Sequence, residues 1–349
     1  MGNPSDTAAE PSLMERETRE APAVVQRLLR ENRDACESLG RRLKDTPPAY
    51  AVTCARGSSD HAATYTQYLI EMHLGLPTAS WPPSITSVYK TRPRMNGALF
   101  LAISQSGRSP DLVGSANAAR GAGAFVVSLT NQDASPLAEA SDICLPLHAG
   151  EERSVAATKT FIASCAGALQ VIAHWTGAAE LQATLDRLPQ ALVQALDRDW
   201  GAGVETFAAA ENALVVARGH CLGIAQEAAL KFKETGRLHA EAFSAAEVQH
   251  GPMALVRKSF PVLALVQDDA TGPGTRSVIA DLRAMGATVF SAEQGVPETG
   301  RLPLPDGLDS TTAPIAMVQS FYLLAEKVAR ARGLDPDHPP HLRKVTETL

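Results

Sequence analysis

An apolar strand, the tripeptide Ala-Arg-Gly, a few small polar residues and a helix are written twice in this chain. The first copy is AVTC followed by ARGSSDHAAT at residues 51–64, and the second is ALVV followed by ARGHCLGIAQ at residues 213–226. The pairs Arg56-Gly57 and Arg218-Gly219 stand at nearly the same separation as the apolar runs ALFLAI (98–103) and PVLALV (261–266). Two similar units at a fixed spacing predict an internal duplication. With 349 residues, the chain has room for two domains, each with its own core.

Between the two copies, short apolar strands alternate with helices. Strands are predicted at 50–54, 98–103, 124–129 and 142–147, with helices over 59–74, 109–122 and 134–140. A long helical stretch over 156–197 leads to a second series. Its strands are at 213–217, 260–266, 287–290 and further at 301–304, and its helices at 223–236 and 274–285. Apolar strands in alternation with helices mean an α/β fold with doubly wound parallel sheets, covered on both faces. A helical pattern over 13–43 reads as an N-terminal arm, and a helix over 312–332 stops at Gly333. The expected organisation is therefore a tail and arm (1–48), a first domain (49–200), a second domain (201–332) and a proline-rich extended tail (333–349).

Composition removes several functional classes. The net charge is −6 and Lys and Arg are scattered, so there is no basic field for a phosphodiester backbone and no nucleic-acid partner is expected. Cys36, Cys54, Cys144, Cys165 and Cys221 lack CxxC or His-pair spacing, so neither a disulfide framework nor a zinc site is indicated. The polar, acidic opening has no signal-peptide core, and no apolar run approaches the roughly 20 residues that span a bilayer. A cytoplasmic protein without membrane contact is the expectation.

Ligands of open parallel sheets bind beyond the carboxyl ends of the strands. There the loop LAISQSGRSPD (101–111) gathers Ser104, Gln105, Ser106, Gly107 and Ser109 ahead of a helix. Hydroxyls and backbone amides at a helix N-terminus favour an anion. With neither GxxxxGK[ST] nor GxGxxG present, a monophosphate on a small molecule fits better than a nucleotide. Ser106 or Ser109 could equally serve as a simple helix cap. In the second series, Glu227, Lys231 and Glu234 recur at spacings of four and three and so share one helix face. That face is open to two readings: solvated salt bridges, or a carboxylate brought to the substrate loops where the helix ends near Gly236. His250, in a His-Gly-Pro turn, is open in the same way.

Taken together, SQSGRS, VAATKTF (155–161), EAALKFKETGRLHAEAF, EVQHGP and HLRKVTETL resemble the sugar isomerase (SIS) family, and most closely the isomerase part of glucosamine-6-phosphate synthase. The resemblance extends from about residue 50 to the C-terminus. It implies two tandem SIS domains of flavodoxin-like topology, with each Ala-Arg-Gly turn opening one of them. It also implies that Ser58, Ser59, Ser104, Gln105, Ser106 and Ser109 hold a sugar phosphate and that Val155 contacts the sugar. Glu234 would move a proton between C1 and C2, with Lys231 beside it. His250 would open the sugar ring from a neighbouring subunit, which implies a homodimer. Lys344 would match a tail lysine associated with an imine of the open-chain sugar. No metal or organic cofactor is implied.

Two departures bear on the activity. Only about 50 residues precede the first SIS strand, too few for the glutaminase domain of the synthase, and Ala157 stands where the synthase pattern has serine. The expected activity is that of an isomerase/deaminase converting glucosamine 6-phosphate, or a close amino-sugar phosphate, to fructose 6-phosphate and ammonia. A synthase-like aminating subunit and a non-catalytic sugar-phosphate sensor are the other readings. The joint presence of Glu234, His250 and Lys344 favours an enzyme over the sensor.

Overall fold

The computed structural model describes residues 10–295 and 299–344. Two helices, α1 (Leu13–Glu31) and α2 (Arg33–Asp45), come first. The first unit follows as β1 (Tyr50–Cys54), α3 (Ser58–Leu74), β2 (Thr78–Ser80), α4 (Ser84–Ser87), β3 (Ala98–Ser104), α5 (Pro110–Gly121), β4 (Phe125–Thr130), α6 (Pro136–Glu139) and β5 (Ile143–Pro146). Helices α7 (Lys159–Thr176), α8 (Ala179–Leu196) and α9 (Val204–Ala209) lead to the second unit. It comprises β6 (Asn212–Ala217), α10 (Cys221–Gly236), β7 (His239–Ser244), α11 (Ala245–Val248), β8 (Pro261–Leu265), α12 (Gly272–Ala284), β9 (Thr288–Ala292) and β10 (Arg301–Leu302), closed by α13 (Ala313–Ala331).

The sheets run β2-β1-β3-β4-β5 and β10-β9-β8-β6-β7, parallel throughout. Numbered from its own first strand, each sheet has the order 2-1-3-4-5, which is the flavodoxin-like doubly wound order. The duplication expected from the Ala-Arg-Gly repeat is therefore present in topology. Gly57 (φ 54°) and Gly219 (φ 60°) take the same left-handed conformation at matching turns, a conformation that glycine adopts without steric cost.

Strand β3 is buried along its whole length because both of its faces are covered. Alternate residues go to opposite faces. Leu99, Leu101 and Ile103 join the main core, while Ala98, Phe100 and Ala102 pack with Leu112 and Ala116 of α5. In the second sheet Val215 and Leu263 enter that same main core, and Leu214, Val216 and Val262 pack under Val278, Ile279 and Leu282 of α12. A central helical layer, built mainly of α3, α7, α10 and α13, thus fills the space between the sheets. Helix α10 crosses α3 at Gly223, where a Cβ would run into the backbone of His61 and lie 2.9 Å from Tyr65 N. That close approach brings the first helix of one unit against the first helix of the other.

The structure differs from sequence expectation at four places. The helical pattern over 13–43 divides at Asn32, and its apolar face (Met14, Val24, Val25, Leu28, Leu39, Leu43) is buried in the main core rather than carried on an arm. The long helical stretch over 156–197 divides at Gly177 (φ 69°) into α7 and α8. Strands β2 and β7 were not anticipated. Both are edge strands, one only three residues long and the other, HAEAFS, only partly buried, so neither gives an apolar-run signal. No helix among the described residues is long and apolar enough to cross a membrane.

Candidate active site

A pocket of about 350 Å³ opens beyond the carboxyl ends of β1 and β3, bounded on its far side by the last turn of α10 and by the C-terminal tail. One wall is the serine loop. Ser104 closes β3 and its Oγ accepts the Gly107 N–H at 3.1 Å, while Ser106 Oγ accepts the Arg108 N–H at 3.3 Å. Each hydroxyl is used as an acceptor, so its proton remains for a ligand oxygen. Ser109 occupies the N-cap position of α5 but makes no capping bond, which argues against the simple-cap reading of this residue. Gly107 (φ 62°) is required here twice over, because an added Cβ would also strike the Ser135 hydroxyl. Arg56, just after β1, pairs with the buried Asp111 on the first turn of α5 through Nε at 2.9 Å and Nη2 at 2.6 Å, so the two strand-end loops are tied together. Ser58 and Ser59 open α3 on the same side.

The opposite wall belongs to α10. The Lys231 ammonium, 1% exposed, donates to Glu234 Oε2, to Ser58 Oγ at 2.9 Å, and lies 3.3 Å from Glu227 Oε1. Burial pulls this ammonium down, but the charges of Glu227 and Glu234 reverse the effect and leave it above its ordinary value. Glu227 is fully buried and receives His61 Nδ1 at 3.0 Å and the Tyr322 hydroxyl at 2.9 Å. Burial alone pushes its carboxyl up, but Lys231, with the His61 and Tyr322 hydrogen bonds, outweighs that and holds it below the usual carboxylate range. Glu234 is 21% exposed at its side chain and faces the pocket from the last turn before Arg237, which takes a left-handed conformation (φ 49°) and ends the helix.

The tail supplies the third side. Lys344 Nζ donates to Glu152 Oε2 at 2.9 Å and to the Ser154 carbonyl at 2.7 Å. Burial pushes the Glu152 carboxyl up, yet the Lys344 charge and hydrogen bonds from Lys344, Thr158 N–H and the Thr160 hydroxyl hold it below its ordinary value. Val155 and Ala157 line the pocket between Glu152 and α7.

Of the residues singled out from sequence, Ser58, Ser59, Ser104, Gln105, Ser106, Ser109, Val155, Lys231, Glu234 and Lys344 come together around this one pocket. His250 does not. It is exposed in the turn after α11 and has no place in the pocket of its own chain. Sequence reasoning missed Arg56–Asp111, His61 and Glu152 as site-forming groups. The repeated Arg-Gly pair pointed to the first of these; nothing local pointed to the others.

A family model described as the SIS domain matches residues 50–173 and 206–291. The isomerizing glutamine–fructose-6-phosphate aminotransferase of Symbiobacterium thermophilum is 34% identical over 310 residues, covering 83% of this chain and 50% of that protein. The chain spans about half the length of the curated relatives it matches. A solved structure of a candidate phosphosugar isomerase from Silicibacter pomeroyi DSS-3 superposes with a TM-score of 0.88 at 42% identity, covering 94% of this chain and 100% of the other. The C-terminal domain of glucosamine-fructose-6-phosphate aminotransferase from Francisella tularensis gives 0.83 at 26% identity, with 96% and 100% covered.

The depressed carboxyls of Glu152 and Glu227 tie stability to acid. A carboxyl whose value is depressed on folding adds stability that is complete above its unfolded value, about 4.3, and is lost as pH falls through the folded value. The thermal midpoint should therefore drop between about pH 5 and pH 3 in the wild type and drop less steeply in Glu227→Gln. Equal slopes for the two proteins, measured by calorimetry across that range, would remove Glu227 from this role.

Proposed function

The chain belongs to the SIS domain family, and we propose that it is a phosphosugar isomerase acting on glucosamine 6-phosphate or a close 2-amino-2-deoxyhexose 6-phosphate, releasing fructose 6-phosphate and ammonia. The observation that carries this reading is the facing arrangement of the serine loop and the Lys231–Glu234 pair across one pocket. A phosphate among the hydroxyls of Ser59, Ser104, Ser106 and Ser109 anchors one end of the sugar, and that binding energy positions C1 and C2 at the other end. Glu234 takes the proton from C2 of the open-chain aldehyde and returns it to C1. The amino group is then left as an imine at C2; water adds there and ammonia departs. Proton transfer by a positioned carboxylate contributes about 10² to 10⁴ in rate. Lys231 holds Glu234 in place for this step.

Lys344 is the candidate amine for a transient imine with the sugar carbonyl, a step in which water is lost and the lysine proton passes to an adjacent base. Glu152, 2.9 Å away, is such a group. Ala157 lines the pocket without a hydroxyl, which leaves the sugar's polar substituents one donor fewer. Ring opening needs a group able to exchange a proton with the ring oxygen near neutral pH, a task suited to histidine. We assign it to His250 of a second copy in a homodimer, since His250 is exposed and does not line its own chain's pocket.

The same site run in reverse adds ammonia to fructose 6-phosphate, a reading favoured by the aminotransferase names of the curated relatives. Ammonia release from a panel of 2-amino sugar 6-phosphates, measured without glutamine, separates the two. The proposed direction predicts release from glucosamine 6-phosphate by wild type and at least a hundredfold less by Glu234→Gln. Amino sugar formed only from fructose 6-phosphate with ammonia or a glutaminase would favour the reverse. For the shared site, mixing inactive Glu234→Gln and His250→Ala chains through reversible unfolding should restore about a quarter of wild-type activity, since half the dimers then hold one complete site. No recovery from a mixture that reassembles would return His250 to a structural role.

A further inference from the structure

Helix α1 lies before the first strand of either sheet, yet both segments that close the sugar end of the pocket hang on it. Asp337 of the tail accepts the Leu13 N–H at 2.7 Å through Oδ2 and the Met14 N–H at 2.8 Å through Oδ1. These are first-turn amides with no partner inside the helix. One turn further on, the same face presents Glu17, 4% exposed, whose carboxylate accepts the consecutive amides of Arg153 and Ser154. The Val155 N–H in turn donates to the Asp337 carbonyl at 3.4 Å. A single turn of α1 therefore braces the 152–155 loop from one side and the tail that carries Lys344 from the other.

A buried carboxylate is an expensive way to pack a helix. Burial pushes the Glu17 carboxyl up, and the Arg153 amide offsets that only in part, with Glu152 adding like-charge repulsion. An apolar residue would fill the same position at less cost. What an apolar residue could not do is fix two successive amides, and so hold in place the strand of loop that leads into the Ser154–Val155 peptide, whose carbonyl accepts from Lys344 and whose N–H is held by Asp337. We propose that Glu17 is a positioning residue for the sugar end of the pocket, holding the 152–155 loop so that Ser154 and Glu152 keep Lys344 at the reacting carbons. This rests on the reading of the pocket as a phosphosugar site. The phosphate end, built on β3 and α5, does not depend on Glu17.

The experiment compares wild type, Glu17→Ala and Glu17→Gln by calorimetric titration with two probes, fructose 6-phosphate and inorganic phosphate. The expected result for Glu17→Ala is at least a tenfold loss of affinity for fructose 6-phosphate with less than a twofold change for inorganic phosphate. Glu17→Gln, which keeps an oxygen for the two amides, should lose threefold or more but less than the alanine variant, and it carries the test alone if Glu17→Ala does not fold. Unchanged sugar affinity, or equal losses for both probes, overturns the proposal and leaves Glu17 a packing residue. Failure of the wild type to bind either probe overturns the phosphosugar reading itself and is distinguished by that control.

Discussion

The pocket depends on one buried ammonium. Lys231 is removed from water at a cost that only close partners can repay, and its partners come from both halves of the chain: Glu227 and Glu234 on its own helix and Ser58 on α3. Glu227 is held in turn by His61 of α3 and Tyr322 of α13. Breaking such a buried pair from one side typically costs about 3–5 kcal/mol. The network thus does two things at once: it joins the first helices of the two units, and it aims the Glu234 carboxylate toward the serine loop. Neither unit could form this pocket alone.

The duplication makes the asymmetry of the site visible. At the turn that corresponds to Ser58, the second unit has His220, fully buried, its ring pushed down to about 4 by burial and so neutral. Beyond β8, where the first unit has its serine loop after β3, Gln267 instead fills the turn, accepting the Cys221 N–H and donating to the Ser310 carbonyl, with Asp268 and Asp269 following. Carboxylates and a plugged turn are poor company for a phosphate. One copy of the repeated βαβ unit supplies the serine loop and the other the helix that carries Glu227, Lys231 and Glu234, so the two units line one mixed pocket rather than two equivalent ones.

Much of this was legible in the sequence. The two-sided apolar runs at β1, β3, β4, β6 and β8 report parallel strands because both of their faces are buried, and the serine loop is legible as one wall of the pocket because its groups are contiguous. The Glu227, Lys231, Glu234 face follows from helical spacing alone. What was not legible acts at long range or at edges. Strands β2 and β7 bury too little to show a pattern, and the apolar stripe of α1 and α2 could not reveal that it enters the main core. Glu17, Glu152 and Asp337 meet partners separated from them by a hundred residues or more, or backbone amides with no side-chain identity. His250 matches a motif, but it does not line the pocket of its own chain.

In the proposed reaction Glu234 carries a proton between adjacent sugar carbons while the serine loop holds the phosphate. Solvent deuterium entering C1 of fructose 6-phosphate, followed by NMR in D2O with wild type and Glu234→Gln, addresses that step directly and is independent of the fate of the nitrogen. Wash-in by the wild type, slowed at least a hundredfold in Glu234→Gln with phosphate affinity unchanged, is the expected result. Exchange at equal rates in the two proteins would mean that another group moves the proton and that Glu234 serves only to neutralise Lys231.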